Sequence, residues 1–170
     1  MSNFQPCFDR TMGFEGRVLE TVPNDPGGET FWGISRRFNP TWPGWTIIDS
    51  LGPNDNGLPT LVATLYQSLY WDKYLLGQLN SQQLSAQIFD AMVNLGSNSV
   101  IKGLQNILKI ECDGIIGPNT VAHCNEAVES DIVTSFIEWR KSYYQNLVAI
   151  NPAKAEFLDG WLSRCTLANV

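Results

Sequence analysis

Histidine occurs once in this chain, at position 123, among 170 residues. A single imidazole and no clustered metal ligands argue against a zinc peptidase or amidase, and against a catalytic triad. Cysteine occurs four times, at 7, 112, 124 and 165, with no C-x-x-C pair. That spacing disfavours a zinc or redox site, so no metal and no cofactor are expected. The four thiols are read as reduced, small and mainly buried; Cys112 and Cys124, which flank a short loop, are the pair to examine for a bridge. Charge is sparse, at 16% Asp, Glu, Lys and Arg, and the 17 acids outnumber the 11 bases for a net charge of −6. With no basic run, nucleic acid and anionic membrane surfaces are excluded as main partners. No apolar stretch approaches the ~20 residues that cross a bilayer, so no membrane span is expected. The opening Met-Ser-Asn-Phe-Gln-Pro has no basic cluster followed by an apolar block. The expectation is a chain that accumulates in the cytoplasm of the cell that makes it.

What remains is apolar and helical in pattern. At 44% hydrophobic and 11% aromatic, the chain has enough material for a sizeable core. Phe4, Cys7, Phe8 and Met12 recur at helical spacing, and Glu15 falls on the same face before Gly16 stops the helix. From Arg17 to Gly57 the helical period lapses, and Pro/Gly clusters predict turns, short strands and loops. After Pro59 the period returns. One stripe is Leu61, Leu65 and Leu69, with Val62, Tyr66 and Tyr70 beside it. Ser81 is a good N-cap for a helix carrying Leu84, Ile88, Met92 and Leu95 and closed by Gly96. Ser97 or Asn98 suits the start of the next helix, with Ile101, Leu104 and Leu108. Asp113-Gly114 and Gly117-Pro118 mark a tight connection and a helix start. A long helix after Asp131 carries Val133, Phe136, Arg140, Tyr143 and Leu147, Asn151-Pro152 breaks it, and Phe157, Trp161 and Leu162 belong to a last short helix.

The chemically suggestive segment is Glu15-Gly16, then Asp25-Pro26-Gly27-Gly28-Glu29-Thr30, then Gly33-Ile34-Ser35. It offers a carboxylate on an apolar helix face and a second carboxylate and a hydroxyl on a Gly-rich loop. Glycosidic cleavage needs a protonated acid at the leaving oxygen and an opposing group that steadies the sugar cation or places water. Apolar surroundings raise a glutamate pKa to ~6, while a solvated aspartate stays ionised. Glu15 and Asp25 suit these roles in that order. From spacing alone, a helix-end glutamate beside an ordinary turn is the commoner reading, because Glu-Gly and Asp-Pro-Gly are common pairs.

The ordered set closely resembles glycoside hydrolase family 108, the phage and bacterial lysozyme-like muramidases. The resemblance continues through Tyr70-Trp71-Asp72, Phe89-Asp90-Ala91 and Asn94-Leu95-Gly96. Leu104-Gln105, the run Asp113 to Thr120, and Gly160-Trp161-Leu162-Ser163-Arg164 are similar to the peptidoglycan-binding module fused to that domain. The resemblance implies a mostly α, lysozyme-like fold, with a helical lobe and a small loop-rich or β lobe. It implies a catalytic region over 1–98 and a helical module over 99–170, packed into one unit. It implies Glu15 as catalytic acid, and by position Asp25 and Thr30 as its partners; Arg17 stands where many members carry a second glycine. Glu29 is read as a loop support. Trp71 and Trp45 are candidate sugar-stacking residues, and Asn94 a candidate for an N-acetyl group or water.

The implied reaction is hydrolysis of the β-1,4 bond between N-acetylmuramic acid and N-acetylglucosamine. The implied partner is bacterial peptidoglycan, met by a monomer in the periplasm or wall after release, as by a phage endolysin. Rival readings are a lytic transglycosylase, a non-catalytic wall-binding protein and a secreted antibacterial effector.

Overall fold

The apolar periods decide most of the architecture. The computed structural model describes every residue except 16–17, 22–27 and 168–169, and at Glu15 and Thr21 the backbone only. It is mostly helical with one small sheet, the architecture of a lysozyme-like fold. Helix α1 (Phe4–Glu15) buries Cys7, Phe8 and Met12 as the spacing predicts, and Thr11 with them. Strands β1 (Leu19–Thr21), β2 (Glu29–Phe31) and β3 (Ile34–Ser35) follow in an antiparallel sheet of order β1-β2-β3. Leu19 pairs with Phe31, and Phe31 with Ile34. The β2–β3 turn is Trp32-Gly33, with φ of 48° and 78°. A two-residue type I′ turn needs positive φ at both positions. Glycine adopts it freely, whereas Trp32 does so at a cost of about 1–2 kcal/mol. The Tyr66 hydroxyl donates to the Trp32 carbonyl at 2.8 Å and helps to hold it there.

Two expectations are corrected in the next stretch. Helix α2 (Gly44–Leu51) lies where only turns and strands were expected; it is eight residues long between Pro43 and Gly52, and buries Trp45 and Ile48 three apart. A helix so short leaves little periodicity among dense Gly and Pro. Helix α3 (Leu58–Tyr66) turns Leu58, Val62 and Tyr66 inward, while Leu61 and Leu65 are only partly buried. Leu69 is 39% exposed. Both stripes keep the same period within α3, and the π-helical turn that follows, Gln67–Asp72, carries the inward face from Tyr66 on to Trp71. An i→i+5 turn rotates the inward face by about one residue, so a fixed four-residue stripe cannot stay buried through it.

Helix α4 (Gln82–Leu95) is the axis of the molecule, with Leu84 to Met92 buried without a break. The Ser81 hydroxyl accepts from the Leu84 amide at 3.0 Å, the expected cap. Gly96, at φ 83°, closes α4 and directly opens α5 (Ser97–Ile107), which has no side-chain cap from Ser97 or Asn98. Helix α6 (Pro118–Glu126) begins after Gly117. Gln105 ties down the preceding loop, donating to Asp113 Oδ1 at 2.6 Å and accepting from the Gly114 amide at 2.9 Å. Helix α7 (Glu129–Ile150) starts slightly before Asp131, and its acidic Glu129 and Asp131 suit the positive helix end. Tyr144, rather than the expected Tyr143, points inward one turn after Arg140; Tyr143 packs beside Trp139. A 3-10 turn, Pro152–Phe157, leads into α8 (Leu158–Ser163). α4 packs against α1, α5 and α7, and α7 packs against α8.

All four cysteines are free. Cys7, Cys124 and Cys165 are buried, and burial pushes the Cys7 and Cys124 thiols up to about 12. Cys112 departs from the expectation of burial: it is exposed, in the connection after α5.

Candidate active site

α1 delivers Glu15 to its own C-terminal end, one turn beyond the buried Thr11 and Met12. β1 begins at Leu19, a chain span of at most ~14 Å. The sheet is thereby tethered to the end of α1 that carries Glu15. Thr30 lies in β2 opposite Glu20 and is half-buried, with Oγ1 3.5 Å from the Gly28 carbonyl. Asp25 lies outside the described residues. Glu29 pairs with Arg36 Nε at 3.1 Å, and Arg36 also meets Asp49 at 2.6 Å, so Glu29 braces the β2–β3 corner.

Behind the end of α1 lies a buried cluster of charge. Asp90 of α4 is fully enclosed and accepts from Arg140 Nη2 at 2.7 Å, Arg164 Nη2 at 2.7 Å and Arg164 Nε at 3.2 Å. Burial alone pushes the Asp90 carboxyl up, but the Arg140 and Arg164 guanidiniums outweigh it and hold it below the usual range. Arg140 also donates to the Gln87 side chain at 2.5 Å and to the Tyr144 hydroxyl at 3.3 Å. Tyr144 in turn donates to Asn94 Oδ1 at 2.7 Å. The Phe14 ring, next to Glu15, has the Arg10 guanidinium 5.3 Å and the Arg164 guanidinium 5.0 Å from its centroid. Charges this deep persist only when paired and hydrogen-bonded, and the pairing ties α4 and α7 to the residue that follows α8.

The sequence signal for this cluster was an arginine inside the apolar stripe of α7, together with the Phe89-Asp90 and Ser163-Arg164 motifs. Their mutual contact across three elements has no local pattern, and sequence reasoning missed it.

Asn94 reaches a groove of about 350 Å³ together with Phe14, Phe157 and Trp161. Trp71 and Trp45 do not offer open faces. Trp71 is 5% exposed and packs on Phe4 and Phe89, with centroids 5.6 and 6.1 Å away. Trp45 is equally enclosed, lies against Trp42, carries Arg36 over its ring at 4.6 Å, and donates Nε1–H to the Asn39 carbonyl at 2.8 Å. Core packing accounts for both, and the structure withdraws them from the cleft. His123 bonds through Nδ1 to the Asn119 carbonyl at 2.9 Å, within α6. Among the described residues there is no group of three or more His, Cys, Asp or Glu that could hold a metal. No described helix is long and apolar enough to cross a membrane.

The family model described as Glycosyl hydrolase 108 matches residues 8–96, and that described as Predicted Peptidoglycan domain matches residues 99–166. No curated protein matches the chain. Among solved structures the fold is similar to "Structure of Brucella abortus SagA", with a TM-score of 0.72 and 23% identity, over 95% of this chain and 88% of that one. The first match encloses Glu15, Thr30, Asp90 and Asn94, and the second encloses Arg140 and Arg164. A catalytic region thus shares its buried charges with the region that follows it, and this peptidoglycan hydrolase belongs to glycosyl hydrolase family 108.

Proposed function

We propose that the protein is a muramidase, hydrolysing the β-1,4 bond between N-acetylmuramic acid and N-acetylglucosamine in bacterial peptidoglycan. The observation that carries this reading is Glu15 at the end of α1, beside a small sheet, within the region matched by Glycosyl hydrolase 108. Glu15 donates a proton to the leaving glycosidic oxygen as the sugar gains oxocarbenium character. Asp25 and Thr30 stabilise that cation or hold the attacking water. Water then adds to the anomeric carbon and leaves a reducing end. No step calls on a metal or cofactor.

The test is mass spectrometry of digested peptidoglycan beside a Glu15→Gln variant. Reducing-end muropeptides are expected, and the variant is expected to lose about a hundred- to ten-thousand-fold in rate, as for removal of a general acid. Anhydro-sugar products would replace the reading with a lytic transglycosylase. Undiminished clearing by Glu15→Gln would remove Glu15 from the chemistry.

The biological setting we propose is that of a phage endolysin, acting as a monomer on the periplasmic wall after a membrane lesion; the family resemblance supports it. Expression inside a Gram-negative cell should then lyse it only when the inner membrane is also permeabilised.

A further inference from the structure

We propose that the groove between the C-terminal ends of α1 and α4 and the α8 region is a saccharide subsite, built by both halves of the chain and selective for an N-acetylated sugar. The inference rests on the hydrolase reading above and names a part of that site. The groove holds about 350 Å³, within the ~300–1,000 Å³ of ligand pockets. Phe14 and Asn94 come from the region matched by Glycosyl hydrolase 108, and Glu156, Phe157 and Trp161 from the region matched by Predicted Peptidoglycan domain. Phe14 lies in the last turn of α1, which puts the groove at the end of the helix that carries Glu15.

Its chemistry is specific. Phe157 is 52% exposed, although it is a large apolar ring. It leans on Trp161 at 5.8 Å, and Trp161 is stacked on Tyr144 at 5.2 Å with an interplanar angle of 21°. This backing sets an open aromatic face against the groove, the surface on which the apolar face of a pyranose packs.

The polar end is fixed by a relay of donors. Arg140 is able only to donate, so the Tyr144 oxygen accepts from it and the Tyr144 proton goes to Asn94 Oδ1. Asn94 is thereby oriented with its Nδ2 amide as the group left for a ligand, and no described residue accepts from it. The groove therefore presents a donor that calls for an acceptor, the carbonyl of an acetamido group. Glu156 adds a carboxylate able to accept from sugar hydroxyls. A hexosamine with a free ammonium would meet the Asn94 donor with another donor.

The probe is a glycan strand freed of stem peptides by an amidase, used before and after chemical de-N-acetylation. Binding is measured by calorimetry on the full chain carrying Glu15→Gln, so that strands are not cut. The parent is expected to bind the N-acetylated strand at least tenfold more tightly. Phe157→Ala, at an exposed position, should weaken both strands about tenfold while leaving the thermal melt in place. Asn94→Asp keeps the Tyr144 bond but replaces the outward donor with an anionic acceptor, and should reduce the preference for N-acetylated strand at least tenfold. Should Asn94→Asp melt early, Phe157→Ala alone decides.

Binding by Phe157→Ala within twofold of the parent, or an unchanged preference in a folded Asn94→Asp, would overturn the subsite. If the unmutated enzyme cleaves these strands in either case, only the subsite falls. If it neither binds nor cleaves them, the hydrolase reading falls and takes the subsite with it.

Discussion

Replacing Asp90 by Asn keeps the shape of the side chain and removes the one carboxylate that both Arg140 and Arg164 contact. Asp90 and Arg140 have fully buried side chains, and that of Arg164 is 7% exposed. In the variant an amide replaces an acceptor-only group that receives three guanidinium N–H bonds, and two buried cations face each other without compensation. Breaking a buried pair by removing one partner costs about 3–5 kcal/mol. Against a total stability of about 5–15 kcal/mol this is a large fraction. For a chain of this size each kcal/mol lowers Tm by about 2–4 °C, so a fall of roughly 6–20 °C is expected.

The readout is urea and thermal unfolding at neutral pH, repeated in acid. The folded carboxyl is held below its usual range, so its stabilisation is complete above the unfolded value of ~3.9 and is lost as pH falls through the lower folded value. The gap between parent and variant should therefore narrow only in strong acid. A loss below about 1 kcal/mol at neutral pH, or a gap that does not change in acid, would refute the account of this cluster as a charge-balanced junction.

Gly103→Ala should lower Tm even though alanine is favoured in a helix by about 1 kcal/mol, because the new Cβ would sit 2.2 Å from the Trp139 ring and overpacking costs about 1–3 kcal/mol. A rise in Tm would show that Trp139 yields freely. A disulfide-exchange reagent should titrate one thiol quickly in the native protein, Cys112, and all four in denaturant; fast reaction at a second thiol would contradict the burial of Cys7, Cys124 and Cys165.

Helices with long uninterrupted periods and good punctuation were legible in the chain. The Phe4-to-Met12 stripe, the Ser81 cap and the Gly96 stop each express a local rule, and the structure places all three as read. α2 escaped because eight residues among Gly and Pro give little more than two turns of signal. The face of α3 was misread because the Leu61-Leu65 and Val62-Tyr66 stripes share one period and only packing chooses between them; the π-helical turn that follows then moves the inward face on to Trp71. Trp71 and Trp45 show the limit of residue type: an aromatic ring reads alike whether it lines a cleft or fills a core, and only its neighbours decide. The acidic position of Glu15 was visible through helical spacing, whereas the Asp90–Arg140–Arg164 contact joins residues up to 74 apart and has no period to betray it.

Gly96 closes one helix and opens the next with no residue to spare. Enzymes that carry a wall-gripping part on a slack tether can cut at many places within reach of one anchorage. A second half that bound the wall would have no such play here, and each cut would fall at a fixed offset from the point of attachment. Firm attachment would then slow the enzyme, since it must release the wall completely before it takes its next step along the strand.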